Sequence, residues 1–161
     1  MPHATNTPLK ALLIGEIAPL GEKQAPSGID KKPVERALFL SHTGFIGDNQ
    51  ADTKHHGGPE KAVHHYPRDH YDAWREEIGD NTLLDSPGAF GENLSTLGLN
   101  EETVALGDVF RLGNAILEVS QGRQPCWKLN SRFGVRDMAL RVQKSGRTGW
   151  YYRVLQEGQV A

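Results

Sequence analysis

Four segments carry the residue types that could do chemistry. The lone cysteine, Cys126, stands in Ser120-Gln121-Gly122-Arg123-Gln124-Pro125-Cys126-Trp127-Lys128-Leu129-Asn130, just past a predicted strand and close to Arg123 and Lys128. Nearby cations lower a thiol's pKa, and the thiolate is both a nucleophile and a soft-metal ligand. The alternative is a buried, inert thiol, the usual state of a lone cysteine. A second segment runs from Gly44 to Tyr66 and holds His55, His56, His64 and His65 together with Asp48 and Asp52. Imidazole and carboxylate are ordinary metal ligands. The spacing opposes a protein-only metal site, because adjacent histidines point apart in a strand and neither HExxH nor a His-x3-His pair is present. His56-Gly57-Gly58 reads better as backbone brought close to a ligand, with glycine supplying the conformational freedom.

The other two segments are weaker signals. Ser27-Gly28-Ile29-Asp30-Lys31-Lys32-Pro33-Val34 is a glycine turn with two lysines. Lysine as a point charge, with turn N–H groups, suits a phosphate, and a solvated turn is the plain alternative. In Gly88-Ala89-Phe90-Gly91-Glu92-Asn93-Leu94, the Asn93 amide could hydrogen-bond a flat heterocycle or serve a turn entering a strand.

The elements that must position these residues are mostly short strands. Leu12 to Ile17, Val34 to Leu40, Asn93 to Leu97, Val104 to Leu106, Val109 to Leu112, Ala115 to Ser120 and Trp150 to Leu155 read as strands. Gly113-Asn114 is the tight turn of a hairpin over Asp108 to Ile116. One helix is predicted over Asp69 to Ile78, with Tyr71, Trp74 and Ile78 on one face, and another over Val135 to Lys144, closed by Ser145-Gly146. This pattern predicts a mainly β, barrel-like fold with two peripheral α-helices. No GxxxxGK[ST] or GxGxxG follows a strand, so phosphate-loop and dinucleotide folds are excluded.

The chain has 161 residues, a length that suits one domain, with a core over about residues 10–158 and a frayed polar start of about ten residues. Its 18 basic residues against 20 acidic ones leave a net charge of −2, which argues against nucleic acid or an anionic membrane as the main partner. No apolar run approaches the ~18 residues of a membrane span. The start, Met1-Pro2-His3-Ala4-Thr5, lacks a basic and then apolar leader, which predicts a cytoplasmic protein. A single cysteine fits a reducing compartment.

Taken in order, the segments resemble the MOSC family, the domain found at the C-terminus of molybdenum-cofactor sulfurases, and in particular its stand-alone hydroxylaminopurine-resistance type. The matching stretches are SGIDKKPV, GFIGDNQAD, HHGGPEKAVHHYPRDHYDAW, GAFGENLSTLGL, ALGDVFRLGNAILEVSQGRQPCWKLN and SGRTGWYYRVLQEG, spanning roughly residues 27 to 158. The ordered set ending in Arg-x-Pro-Cys is specific where any single stretch is not. The resemblance implies a β-rich barrel holding a molybdenum cofactor, with Cys126 as thiolate ligand to the metal. It implies Arg123 facing the cofactor, Lys31 or Lys32 on its phosphate, and Ser27, Asn93, His56, Gly57 and Gly58 lining the pocket. The family's usual description also allows pyridoxal phosphate binding.

Related members reduce N-hydroxylated compounds such as 6-N-hydroxylaminopurine to the amine. That reaction needs two electrons and two protons, and no side chain supplies the electrons, so a cofactor must. Asp52, Glu92, His56 and His64 are the candidate proton donors. The sequence has no flavin, haem or iron–sulfur motif, which implies a separate electron-donating reductase. Gly122 stands where the family commonly has proline, loosening the approach to Cys126 without removing a ligand. Longer members continue past Val160-Ala161 with a strand and a small helical region. The expectation here is a barrel closed with fewer elements, or an edge covered by a partner or a second copy. Two rival readings use the same residues: a non-catalytic cofactor or sulfur carrier, and a hydrolase or transferase with Cys126 as nucleophile and a histidine base.

Overall fold

A computed structural model describes residues 7–15, 18–20, 25–27, 29–48 and 58–160. The strands are β1 (Leu9–Ile14), β2 (Ala18–Leu20), β3 (Ala25–Ser27), β4 (Lys32–Pro33), β5 (Leu38–Ser41), β6 (Gly44–Phe45), β7 (Val63–Pro67), β8 (Leu94–Thr96), β9 (Val109–Leu112), β10 (Ala115–Gly122), β11 (Trp150–Gln156) and β12 (Gly158–Val160). The helices are α1 (His70–Ile78), α2 (Lys128–Phe133) and α3 (Met138–Ser145). Seven strands form a curled half-barrel in the order β4-β1-β8-β7-β11-β10-β9. Its neighbours are antiparallel except β7 and β8, which run parallel. A three-stranded sheet, β12-β5-β6, and the β2-β3 ribbon complete it.

The mainly β, barrel-like expectation stands, with one correction: there are three helices among the described residues, not two. The third, α2, begins two residues after Cys126, where the sequence reading had a loop. Val104 to Leu106 is a turn, not a strand. The backbone N–H groups of Thr103 and Val104 bond to the Asn100 carbonyl and that of Ala105 to Asp108 Oδ2, so no ladder partner is needed. Val34 to Leu40 yields a strand only from Leu38 onward. Leu12 to Ile17 is shifted to Leu9–Ile14, and Ile17 lies outside the described residues. The hairpin forms as expected, Leu112 opposite Ala115. Gly113 is needed there twice over: its φ is 58°, and a Cβ would sit 2.5 Å from the Gln159 carbonyl oxygen.

Two cores flank the big sheet. Leu12, Leu40, Val63, Leu117, Val119 and Tyr152 fill the half-barrel. On the other face Tyr66 packs with Tyr71, Trp74, Phe90, Leu129, Phe133, Met138 and Val142, which carries the helices onto the sheet. Strand β7 lies between them and is buried along its whole length. Strand alternation sends Val63 and His65 to the barrel side, His64 and Tyr66 to the helical side. His65 and Trp150 are register partners, as are His64 and Tyr151, so each pair shares a face. The His65 ring lies 4.5 Å from Trp150, and the His64 ring 5.1 Å from Tyr151.

His65 makes stability depend on pH. Burial lowers its pKa from 6.5 to about 3, with Tyr152 Oη 2.8 Å from Nδ1 and Thr96 Oγ1 2.6 Å from Nε2. The folded pKa lies below the unfolded one, so acid protonates the unfolded chain first. Stability is complete above the unfolded value and falls by about 1.4 kcal/mol per pH unit below it. Glu92, whose carboxyl pKa burial raises, works in the opposite sense. Urea midpoints at neutral pH and about pH 5 are expected to diverge in the wild type and to diverge less in His65→Gln, the remainder coming from His64, whose pKa burial also lowers. An equal divergence in the variant would contradict the assignment.

Candidate functional site

The site is built on the helical face of the half-barrel, where β7, β10 and β11 come together. Arg123 follows directly on β10, and its backbone N–H donates to the Gly149 carbonyl at 3.2 Å. The residue is 7% exposed, yet its Nη1 has no hydrogen-bond partner among the described residues. His64, 4% exposed, likewise has an Nε2 unpartnered among the described residues, while the Gly91 backbone engages the ring. Burial, then the Arg123 guanidinium, holds the His64 pKa well below its ordinary value, with Lys31 adding to the effect. The imidazole is therefore neutral at physiological pH. Buried polar atoms are nearly always paired, and an unmet one costs about 1–3 kcal/mol. Two of them within electrostatic reach of each other mark a place for a polar guest.

Tyr151 is the neighbour common to these groups. Its ring lies tilted against His64, it hydrogen-bonds Arg123, and it is within electrostatic reach of Cys126. Its phenol is buried and its pKa is raised mainly for that reason. Cys126 is half-buried in the loop between β10 and α2, and its carbonyl accepts the Leu129 N–H at 3.1 Å as α2 begins. Gly149 allows the close approach of β11 to β7. With a φ of 71°, a Cβ there would stand 2.5 Å from the His65 carbonyl oxygen and 3.1 Å from His64 Nε2.

A buried polar joint fixes His64 from beneath. The Asn93 Oδ1 accepts the His64 backbone N–H at 2.9 Å, while Nδ2 donates to the Leu13 carbonyl at 3.1 Å and to Asp48 Oδ2 at 2.8 Å. Asp48 Oδ1 in turn accepts from the Gly15 N–H at 3.0 Å and from Lys31 Nζ at 2.7 Å. Lys31 and Asp48 form an ion pair whose side chains are 6% and 4% exposed. The joint ties β1, the segments around Lys31 and Asp48, and β7 into one unit.

The remaining candidates fall in different places. Glu92 is fully buried and accepts from the Tyr71 hydroxyl at 2.6 Å and from the Phe90 N–H at 3.0 Å, which locks the Gly88–Asn93 turn against α1. Lys32 is exposed and pairs with Asp30 at 3.1 Å. Ser27 is buried, its Oγ accepting the Ile29 N–H. Gly58 opens the 3-10 turn Pro59–Lys61. Asp52, His56 and Gly57 lie outside the described residues. Arg123 and Lys31 are both within electrostatic reach of His64, whereas Lys32 and Glu92 serve other contacts. Asp48, which the sequence offers only as a disfavoured metal ligand, is instead the centre of the buried joint, and Tyr151 carries no signal of its own in the aromatic stretch where it stands. Asp48 follows the Gly47 turn, and Tyr151 occupies the middle of an aromatic strand.

A molybdenum-pyranopterin group would bring a soft metal, a polar heterocycle and a phosphate. A partly exposed thiol, and a buried guanidinium and a buried imidazole each with a nitrogen unpartnered among the described residues, suit those three needs, with Tyr151 as the neighbour common to them. Among the described residues no three His, Cys, Asp or Glu side chains converge on one point, and no helix is long and apolar enough to cross a membrane.

Comparison with known proteins agrees with this architecture. The chain is 48% identical to Protein YiiM of Escherichia coli over 136 residues, 84% of this chain and 61% of that protein. It is 44% identical to a protein named Reductase from Gibberella moniliformis over 135 residues, 83% of this chain and 24% of that one. The crystal structure of YiiM from Geobacillus stearothermophilus matches with a TM-score of 0.77 at 33% identity, over 96% of this chain and 71% of that one. The chain thus spans less than two thirds of the E. coli relative's length. The MOSC domain model matches residues 52–161, most of the chain including β7, Arg123, Cys126 and β11, and the chain belongs to the MOSC domain family.

Proposed function

We propose that this chain is a MOSC-type reductase that uses a molybdenum cofactor to convert N-hydroxylated compounds, such as 6-N-hydroxylaminopurine, to the amine. The observation that carries this reading is the pair of buried nitrogens without a partner among the described residues, Arg123 Nη1 and His64 Nε2, with Tyr151 within electrostatic reach of both Arg123 and the lone thiol. The overall change, R–NHOH + 2e⁻ + 2H⁺ → R–NH2 + H2O, sets what the site must do. When bound, the cofactor supplies the two electrons.

The protein's own contribution is binding, orientation and protons. Cys126 would hold the metal through its sulfur, and Arg123, always charged, would pair with an anionic group of cofactor or ligand. With its ring N–H on the Gly91 backbone, neutral His64 offers the Nε2 lone pair, which would accept a hydrogen bond from an N–OH or N–H group. The Asp48–Asn93 joint keeps that ring in place. The name of the fungal relative, Reductase, supports the reaction class.

The test is turnover. Protein co-expressed with a cofactor supply is given 6-N-hydroxylaminopurine and dithionite-reduced methyl viologen, and adenine is measured by chromatography. Adenine formation in proportion to dye oxidised is expected. Cofactor-loaded protein that forms no adenine would be a carrier instead.

A further inference from the structure

Glu101 is a half-buried carboxylate on a turn between β8 and β9. Asn100 folds that turn: its Oδ1 accepts the backbone N–H groups of Glu102 at 2.9 Å and of Thr103 at 3.1 Å. Glu102 is left exposed, whereas the Glu101 side chain is 21% exposed and engaged from two sides. Its Oε1 accepts a hydrogen bond from His70 Nε2 at 2.6 Å, and its Oε2 accepts the Gly149 N–H at 2.8 Å. Burial opposes the charge, but these two hydrogen bonds outweigh it and hold the carboxyl below its ordinary pKa. His70 is the first residue of α1, and its ring lies edge-on to Tyr66 at 5.6 Å. Glu101 thus ties the start of α1 to the residue that precedes β11.

That residue, Gly149, is where the anchor meets the site. Its carbonyl accepts the Arg123 N–H at 3.2 Å and the Thr148 hydroxyl at 3.0 Å. It stands so close to His64 that a side chain there would begin 3.1 Å from Nε2. A glycine with a φ of 71° has the widest choice of backbone states, so outside contacts must hold it in one of them. Arg123 and His64, whose buried nitrogens lack a partner among the described residues, are therefore both set against one glycine, and Glu101 holds the N–H of that glycine.

We propose that Glu101 is a positioning residue of the site: by holding Gly149 it keeps the Arg123 backbone and the space at His64 Nε2 in the arrangement that receives the ligand. Glu101 acts through Gly149, not by contact with reacting atoms. Its effect on turnover rests on the reductase reading, whereas the chain of hydrogen bonds from Glu101 through Gly149 to Arg123 stands without it.

The experiment compares wild type with Glu101→Met and Glu101→Gln. Methionine has the length of glutamate and only a weak acceptor, while glutamine can serve both partners, its oxygen accepting the Gly149 N–H and its amide nitrogen donating to His70 Nε2. Amide hydrogen exchange, followed by NMR on cofactor-free protein, reads the backbone at Arg123. The Val119 N–H, in β10 and bonded to the Asp108 carbonyl at 2.8 Å, is the internal reference, because a fold that is merely less stable loosens both amides. Exchange at Arg123 is expected to be at least about tenfold faster in Glu101→Met, with Val119 changed by less than about twofold and both amides close to wild type in Glu101→Gln. In cofactor-loaded protein, kcat/KM for 6-N-hydroxylaminopurine is expected to fall at least about tenfold in the methionine variant and to recover in the glutamine variant. Unchanged exchange at Arg123 in Glu101→Met, an equal loss at both amides, or a glutamine variant as defective as the methionine one overturns the proposal. So does a wild-type kcat/KM in a methionine variant whose Arg123 amide has loosened. If the wild type itself forms no adenine, the reductase reading fails, and the exchange pattern still decides whether Glu101 positions Arg123.

Discussion

Asp48→Ala is expected to lower the stability of this protein by up to about 3–5 kcal/mol, the cost of removing one member of a buried, hydrogen-bonded ion pair. Lys31 would keep its charge at a site 6% exposed, and the Asn93 amide and the Gly15 N–H would each lose an acceptor. Urea or thermal unfolding measures the effect. Removing both charges, as in Asp48→Ala/Lys31→Met, is expected to recover part of the loss, because an apolar pair needs no compensation. A single variant that unfolds at the wild-type urea concentration would show that the joint is not a stabilising element. The prediction also bears on function, since Asp48 reaches the His64 backbone through a single residue, Asn93.

Cys126→Ser is the opposite case, with a small effect on folding and a large one on chemistry. The side chain is half-buried and no packing core includes it, so stability should change by no more than about 1 kcal/mol. Oxygen is a hard donor and a poor substitute for a thiolate on a soft metal. Loss of a group orienting a metal ligand already costs about 10–100-fold, so loss of the ligand itself should cost at least about 100-fold in hydroxylaminopurine turnover. Steady-state kinetics beside a denaturation curve separate the two effects. A serine variant with wild-type kcat/KM would remove Cys126 from the reaction.

What the residues revealed in advance follows the range of the interactions involved. The Gly113-Asn114 turn and the Tyr71, Trp74, Ile78 spacing are local signals, and both produced the expected hairpin and helix. Strand β7 was hidden because its two faces serve two different layers. His64 and His65 are polar residues in a strand buried on both sides, so no apolar alternation marks it. Helix α2, only six residues long, is held by Leu129 and Phe133 against a core assembled from distant segments. Arg123 and Cys126 stand in one compact motif, which is why the sequence alone singles them out as candidates. The role of Asp48 is not legible in that way, because its partners Lys31 and Asn93 stand 17 and 45 residues away in sequence. Nor is that of Tyr151, whose proximity to His64 depends on the β7–β11 register.

Metal content tests the central claim most directly. Wild type and Cys126→Ser are co-expressed with a molybdenum-cofactor supply, purified without delay, and analysed for molybdenum by plasma mass spectrometry. The account predicts about one molybdenum atom per wild-type chain and close to none in the serine variant, with both proteins folded. Equal molybdenum in the two proteins, or none in a wild type supplied with cofactor, would contradict it.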